Sequence, residues 1–192
     1  MKRLYIERFY LNRADNEYPM TVRVMLRIID KVDEQMLADA LTATRRRYPY
    51  LCVKLGVVRD AEGSEHFVYD DNPQPWVLSN GGHPVCLFGE EANEHLLAFC
   101  WWDDCVALDF SHVLIDGDSA YRLLRTLLYE YCQRRYDNSL SREGVWLAGD
   151  AIDEEEWTDP ATRPRPAEIY PLLLPERPQV INLNTEAVCP IA

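Results

Sequence analysis

Residues 109–121 read DFSHVLIDGDSAY, and the six from His112 to Gly117 carry the chain's clearest chemistry. An extended apolar run ends at the histidine, and an amphipathic helical pattern starts after the glycine. That spacing sets one imidazole at the mouth of a strand-to-helix turn, with the Asp116 carboxylate four residues on to brace it. An imidazole with an unperturbed pKa of about 6.5 can take up and return a proton near neutral pH, which is general-base work. Other chemistries find less support. The six cysteines (52, 86, 100, 105, 132 and 189) are scattered without a C-x-x-C pair, and most lie among apolar neighbours, as small buried hydrophobes do. His83-x-x-Cys86 has no second ligand pair at a suitable spacing. His112 and Asp116 lack a third ligand, so no metal site is expected. His66, His83 and His95 fall in turn or edge contexts, and Trp101-Trp102 suits alternate faces of one strand.

The elements that must hold this turn are readable on both sides of it. Segments 94–102 and 104–111 pattern as an antiparallel hairpin around Asp103-Asp104. Beyond the turn, Ala120, Leu123, Leu124, Leu127, Leu128 and Tyr131 form one helical stripe over 118–136, capped by Asp116 or Asp118 and closed by Arg134-Arg135. Further upstream, Leu4 to Leu11 is rich in aromatic and branched residues. Thr21 to Ile29 puts Val22, Val24, Leu26 and Ile28 on one face and Arg23 and Arg27 on the other, a half-buried strand. Asp33 then caps a helix over 33–48, with Val32 and Leu37 as its hydrophobic staple. Arg45 to Arg47 fall in its last turn and are expected to be solvated there, and Pro49 ends it. Extended segments at 51–59, 65–70 and 84–88 come next, separated by Gly63, Asn72-Pro73 and Gly81-Gly82.

This pattern predicts an α/β (α+β) two-layer sandwich: a mixed, largely antiparallel sheet with both helices on one face. A chain of 192 residues, 47% hydrophobic, suits one domain with a true core. The net charge of −12 argues against a nucleic-acid partner, which needs concentrated basic surface. No apolar run approaches a membrane span, and Met1 to Arg8 does not resemble a signal peptide, so a reducing cytoplasm with free thiols is expected. Past about residue 140 the character changes. An acidic run (Asp150, Asp153 to Glu156, Asp159) leads into a tract holding seven of the twelve prolines between 160 and 190. Such a tract cannot build helix interiors or central strands. Residues 1–140 therefore read as a lobe and 141–192 as a linker or crossing arm.

The stretch from Asp104 to about Tyr136 resembles the histidine-motif region of the CoA-dependent acyltransferase superfamily, which includes chloramphenicol acetyltransferase, alcohol acetyltransferases and condensation domains. The family's H-H-x-x-x-D-G stands here as Ser111-His112-Val113-Leu114-Ile115-Asp116-Gly117. Phe110-Ser111-His112 is closest to the F-x-H-x-x-x-D-G of the alcohol acetyltransferase branch. The strand, capped helix and Arg-rich Tyr-Pro end of the N-terminal half also look like that branch. The resemblance covers roughly residues 1–140, the first lobe alone. It lacks the D-F-G-W-G-like residues of a second lobe, and His112 is mid-chain, which suits the trimers of chloramphenicol acetyltransferase poorly.

What the resemblance implies is specific. A thioester on CoA or a carrier pantetheine would be the co-substrate, with no permanently bound cofactor, and an alcohol or amine the acceptor. His112 would be the general base, and no covalent intermediate would be needed. Asp116 would pair with an arginine or cap the helix. Gly117 would give tight backbone where a side chain would clash. Ser111 would be a possible oxyanion or substrate contact. A second lobe would complete the site, and a carrier protein or another copy of the chain would be a possible partner. The alternative is a non-catalytic carrier-binding or dimerisation module of the same fold.

Overall fold

The computed structural model describes residues 2–3, 21–136 and 140–157. The chain divides into two units, Met1–Asp153 and Glu154–Ala192. Of the second, the described residues carry a single 3-10 turn, Glu154–Glu156. The segment from Leu4 to Leu11 and the proline-rich tract lie outside the described residues.

In the first unit the chain runs through β1 (Lys2–Arg3), β2 (Thr21–Arg27), α1 (Glu34–Arg47), β3 (Val53–Arg59), β4 (Glu65–Asp71), β5 (Leu78–Asn80), β6 (Leu97–Trp102), β7 (Cys105–Ser111) and α2 (Gly117–Tyr136). Four strands form a mixed sheet in the order β2-β7-β6-β5, with β5 parallel to β6 and the other pairs antiparallel. The two helices pack on one face of it, as the patterns predict. Val106, Leu108 and Phe110 of β7 and Leu97 and Phe99 of β6 alternate onto that face. There they meet Leu37, Ala40 and Leu41 of α1 and Ala120, Leu123, Leu124 and Leu127 of α2. Fully burying each large apolar side chain is worth about 1.5–3 kcal/mol, so this seam dominates the unit's stability.

The helix termini obey their local chemistry. Asp33 has extended backbone and accepts the Met36 N–H at 2.9 Å, while buried Val32 completes the staple. The Tyr131 hydroxyl accepts the Asp33 N–H at 2.9 Å, fixing the start of α1 against α2. Thr126 joins both helices to the loop beyond α2: its hydroxyl bonds the Tyr48 hydroxyl at 2.9 Å and donates to the Trp146 carbonyl at 3.0 Å. The Arg122 guanidinium lies over the Trp146 ring.

The structure departs from the sequence reading in three places. Segments 51–59 and 65–70 do not extend the main sheet: β3 and β4 pair with each other and with β1 in a separate antiparallel sheet, β1-β4-β3. The residues at 84–88 are a loop whose Val85 and Leu87 cover the sheet face opposite the helices, against Ala98, Cys100 and Ala107. The fourth strand of the main sheet is instead the short β5. Finally, Arg47 is buried beneath the Tyr48 ring rather than solvated. It lies three residues after buried Thr44 and seven after Ala40, so helical periodicity turns it inward. Arg46 is the exposed member, and Arg45 donates to the Pro73 carbonyl at 2.8 Å.

Candidate functional site

The turn after β7 is built from its own backbone. Ser111 closes the strand, its N–H donating to Leu96 O at 3.0 Å. Its carbonyl then accepts the N–H groups of Leu114 at 2.9 Å and Ile115 at 3.4 Å. Val113 and Ile115 point into the core, at 3% and 7% exposure, so His112 between the strand and Val113 is turned outward and exposed. Its ring meets the edge of Phe110 at a centroid separation of 5.8 Å and 74°. A histidine set between buried Ser111 and buried Val113, at the end of a strand buried on both faces, therefore stands at the surface.

Asp116 takes the capping role of the two that the resemblance allowed. Its carboxylate accepts the Ser119 N–H at 2.8 Å, and its carbonyl accepts the Ala120 N–H at 3.0 Å. The Ser119 N–H, followed by the Ser119 side chain, holds the carboxyl below the usual range. Asp118, the other possible cap, instead pairs with Arg122 one helical turn on.

Gly117 differs from expectation. Its φ is not in the left-handed region, and a Cβ built on it meets no atom within 4 Å. No described residue crosses there. The two neighbours should respond oppositely. Asp116→Ala loses the cap and about 1 kcal/mol, and that stabilisation in the wild type is itself lost as pH falls below the ordinary carboxylate value of about 3.9. Gly117→Ala is neutral or gains up to about 1 kcal/mol. Urea midpoints at pH 7 and pH 3 measure both.

Ser111 is enclosed. It is 1% exposed, and its Oγ accepts the Val113 N–H at 3.3 Å. A hydroxyl so enclosed shapes the turn.

Two groups near the site went unread in the sequence. Asp109, three residues before His112, is fully buried on β7. It receives Arg23 Nε at 2.6 Å and Nη2 at 2.7 Å, the Val85 N–H at 3.0 Å and the Cys100 thiol at 3.4 Å. Arg23 and Asp109 are direct cross-strand partners, and Arg23 also reaches the carbonyls of Gly82 and His83. The second group is Tyr69 of β4, whose hydroxyl donates to the Val113 carbonyl.

The remaining titratable groups have structural settings. His95 is fully buried and bonds Gln74 O through Nε2 at 2.9 Å, and burial pushes its pKa down. The folded state thus binds this proton less readily than the unfolded chain. The His95 contribution is complete above the unfolded value of about 6.5 and is lost as pH falls below it. Stability should therefore decline between pH 7 and pH 5, with a shallower decline in His95→Gln, as followed by urea unfolding across that range. His66 bonds Asp60 at 2.7 Å in the β3–β4 turn. The Cys100 thiol is pushed up to about 12 by burial and the neighbouring Asp109, which removes it as a nucleophile. Among the described residues no three His, Cys, Asp or Glu side chains are arranged to hold a metal ion, and no helix is long and apolar enough to cross a membrane.

No family model matches the sequence, and no curated protein matches it. Solved structures do. Polyketide synthase associated protein 5 from Mycobacterium tuberculosis superimposes with a TM-score of 0.51 at 16% identity, over 70% of this chain and 33% of that one. The epimerization domain from the third module of tyrocidine synthetase B gives 0.52 at 15% identity, over 72% and 36%. A mutant of the starter condensation domain of rhizomide synthetase gives 0.50 at 11% identity, over 70% and 38%. The chain shares a condensation-domain-like fold with these structures, and it spans about a third of the length of each of them.

Proposed function

We propose that this chain is the histidine-bearing lobe of an acyltransferase. The carrying observation is the exposed His112 imidazole on a turn fixed at Ser111 and Asp116, within a condensation-type fold. The donor is an acyl thioester on CoA or on a carrier-protein pantetheine, and the acceptor an alcohol or amine. Two of the neighbours are synthetase domains and the third is named for its association with a polyketide synthase, which supports a role beside such an assembly and a carrier protein as partner.

His112 takes the acceptor's O–H or N–H proton as the heteroatom attacks the thioester carbonyl. The tetrahedral intermediate collapses with cleavage of the C–S bond, and the imidazolium returns the proton to the departing thiolate. Asp116 holds the start of α2 and with it the far side of the turn. The space over Gly117 is open, and a second lobe supplies the wall that completes the site.

The test is thiol release from acetyl-CoA and from acetyl-pantetheine on a carrier, with a panel of alcohols and amines. The chain is assayed alone and in the complex recovered through a tag on it. Release that depends on His112 supports the reading. Equal release by wild type and His112→Ala in both preparations overturns it.

A further inference from the structure

The separate sheet presents a face to the histidine turn. Leu55 on β3 and Tyr69 on β4 are cross-strand partners, and Phe67 lies two residues along β4 on the same face. These three pack on buried Leu96 and Val113, with Leu114 beside them. Val113 is the residue immediately after His112.

The backbone around His112 is fixed one peptide group at a time. The peptide before it is held through the Ser111 carbonyl, which accepts from Leu114 and Ile115. The peptide after it is held through the Val113 N–H by Ser111 Oγ, at a long 3.3 Å. The next peptide is held through the Val113 carbonyl by the Tyr69 hydroxyl, 44 positions away in the sequence. The first two ties lie within the turn and move with it. The third anchors the turn to a different sheet, so it sets where the turn sits rather than merely its shape.

We infer that Tyr69 is a positioning residue for His112, acting through the Val113 carbonyl, with the β3–β4 hairpin as its support. The inference rests on the reading of His112 as the general base, because only a group that must meet reacting atoms needs such placement. A displacement on the order of 1 Å at a reacting group can cost about 100-fold in rate.

Tyr69→Phe removes the hydroxyl and keeps the ring in its apolar packing. The direct readout is the imidazole Cε1–Hε1 spectrum of the full chain, in which the four histidines 66, 83, 95 and 112 report separately. The expected result is a shifted or broadened His112 signal with the other three unchanged. In the thiol-release assay the same variant lowers kcat about 10-fold and leaves KM unchanged. An unmoved His112 signal, or a change spread evenly over all four histidines, overturns the inference. The spectrum does not depend on turnover. Absence of thiol release from the wild type would therefore remove the acyltransferase reading, and the His112 signal would still decide whether Tyr69 places the ring.

Discussion

Arg23→Met should be the most destabilising single substitution outside the apolar core, by about 3–5 kcal/mol. Asp109 is fully buried in the central strand β7, and Arg23 meets both of its carboxylate oxygens with parallel N–H groups. Removing the guanidinium leaves a charge in the sheet facing only neutral donors, the Val85 N–H and the Cys100 thiol. Those donors do not offset the desolvation of a carboxylate. The loss extends past the pair. Arg23 also ties the carbonyls of Gly82 and His83, and Asp109 ties Val85, so the loop covering the second face of the sheet loses its anchorage. At about 2–4 °C per kcal/mol for a chain of this size, Tm should fall by roughly 10 °C. Replacing both partners, Arg23→Met with Asp109→Leu, should recover most of the loss, because no buried charge is then left behind. Urea unfolding of the two single variants and the double variant measures the coupling directly. Additive effects of the two substitutions would contradict it.

That pair also marks where sequence reading ended. The period-2 pattern of Thr21 to Ile29 and the stripe of α2 are local, so both helices, β2 and the β6–β7 hairpin were legible from composition at short range. Pairing between β2 and β7 was not, since it joins residues 86 positions apart. Arg23 therefore looked like one of several polar-face residues. A clue was present: Asp109 is a lone carboxylate inside the apolar run Val106 to Phe110, and such a residue in a two-sided strand demands a cation opposite. The separate sheet was hidden for the same reason. The strand patterns of β3 and β4 say what each strand buries and not which sheet it joins, and Tyr69 cannot be linked to Val113 by spacing. Parallel β5 is only three residues long, too short for alternation to register. The histidine turn fared better because its geometry is local. An imidazole at the mouth of the turn and Asp116 at the helix start both come from residue type and order. Ser111 and Gly117 carry roles that only the family resemblance implies, since neither the burial of the one nor the open space over the other is visible in local pattern.

His112→Ala should lower His112-dependent thiol release by about 100- to 10,000-fold, the range that a positioned general base contributes. Such a drop corresponds to about 3–5 kcal/mol of transition-state stabilisation. Stability should change far less. The side chain is exposed, and substitutions at exposed positions outside the core usually stay small, so the variant should keep the fold of the wild type. The neighbouring groups are poorly placed to take over. The Asp116 carboxylate is held below its ordinary range by the helix N–H it caps, which weakens it as a base. Ser111 is enclosed in the turn, and the Cys100 thiol is buried with its pKa pushed up to about 12. Rate and stability are thus expected to separate cleanly at this one position, and to do the reverse in Arg23→Met, where the fold loosens while the imidazole itself is untouched. A His112→Ala enzyme that retained its rate would mean that the acceptor reaches the thioester already deprotonated, or that the proton leaves through water. The turn would then be a structural corner of the condensation fold and not the place where its chemistry happens.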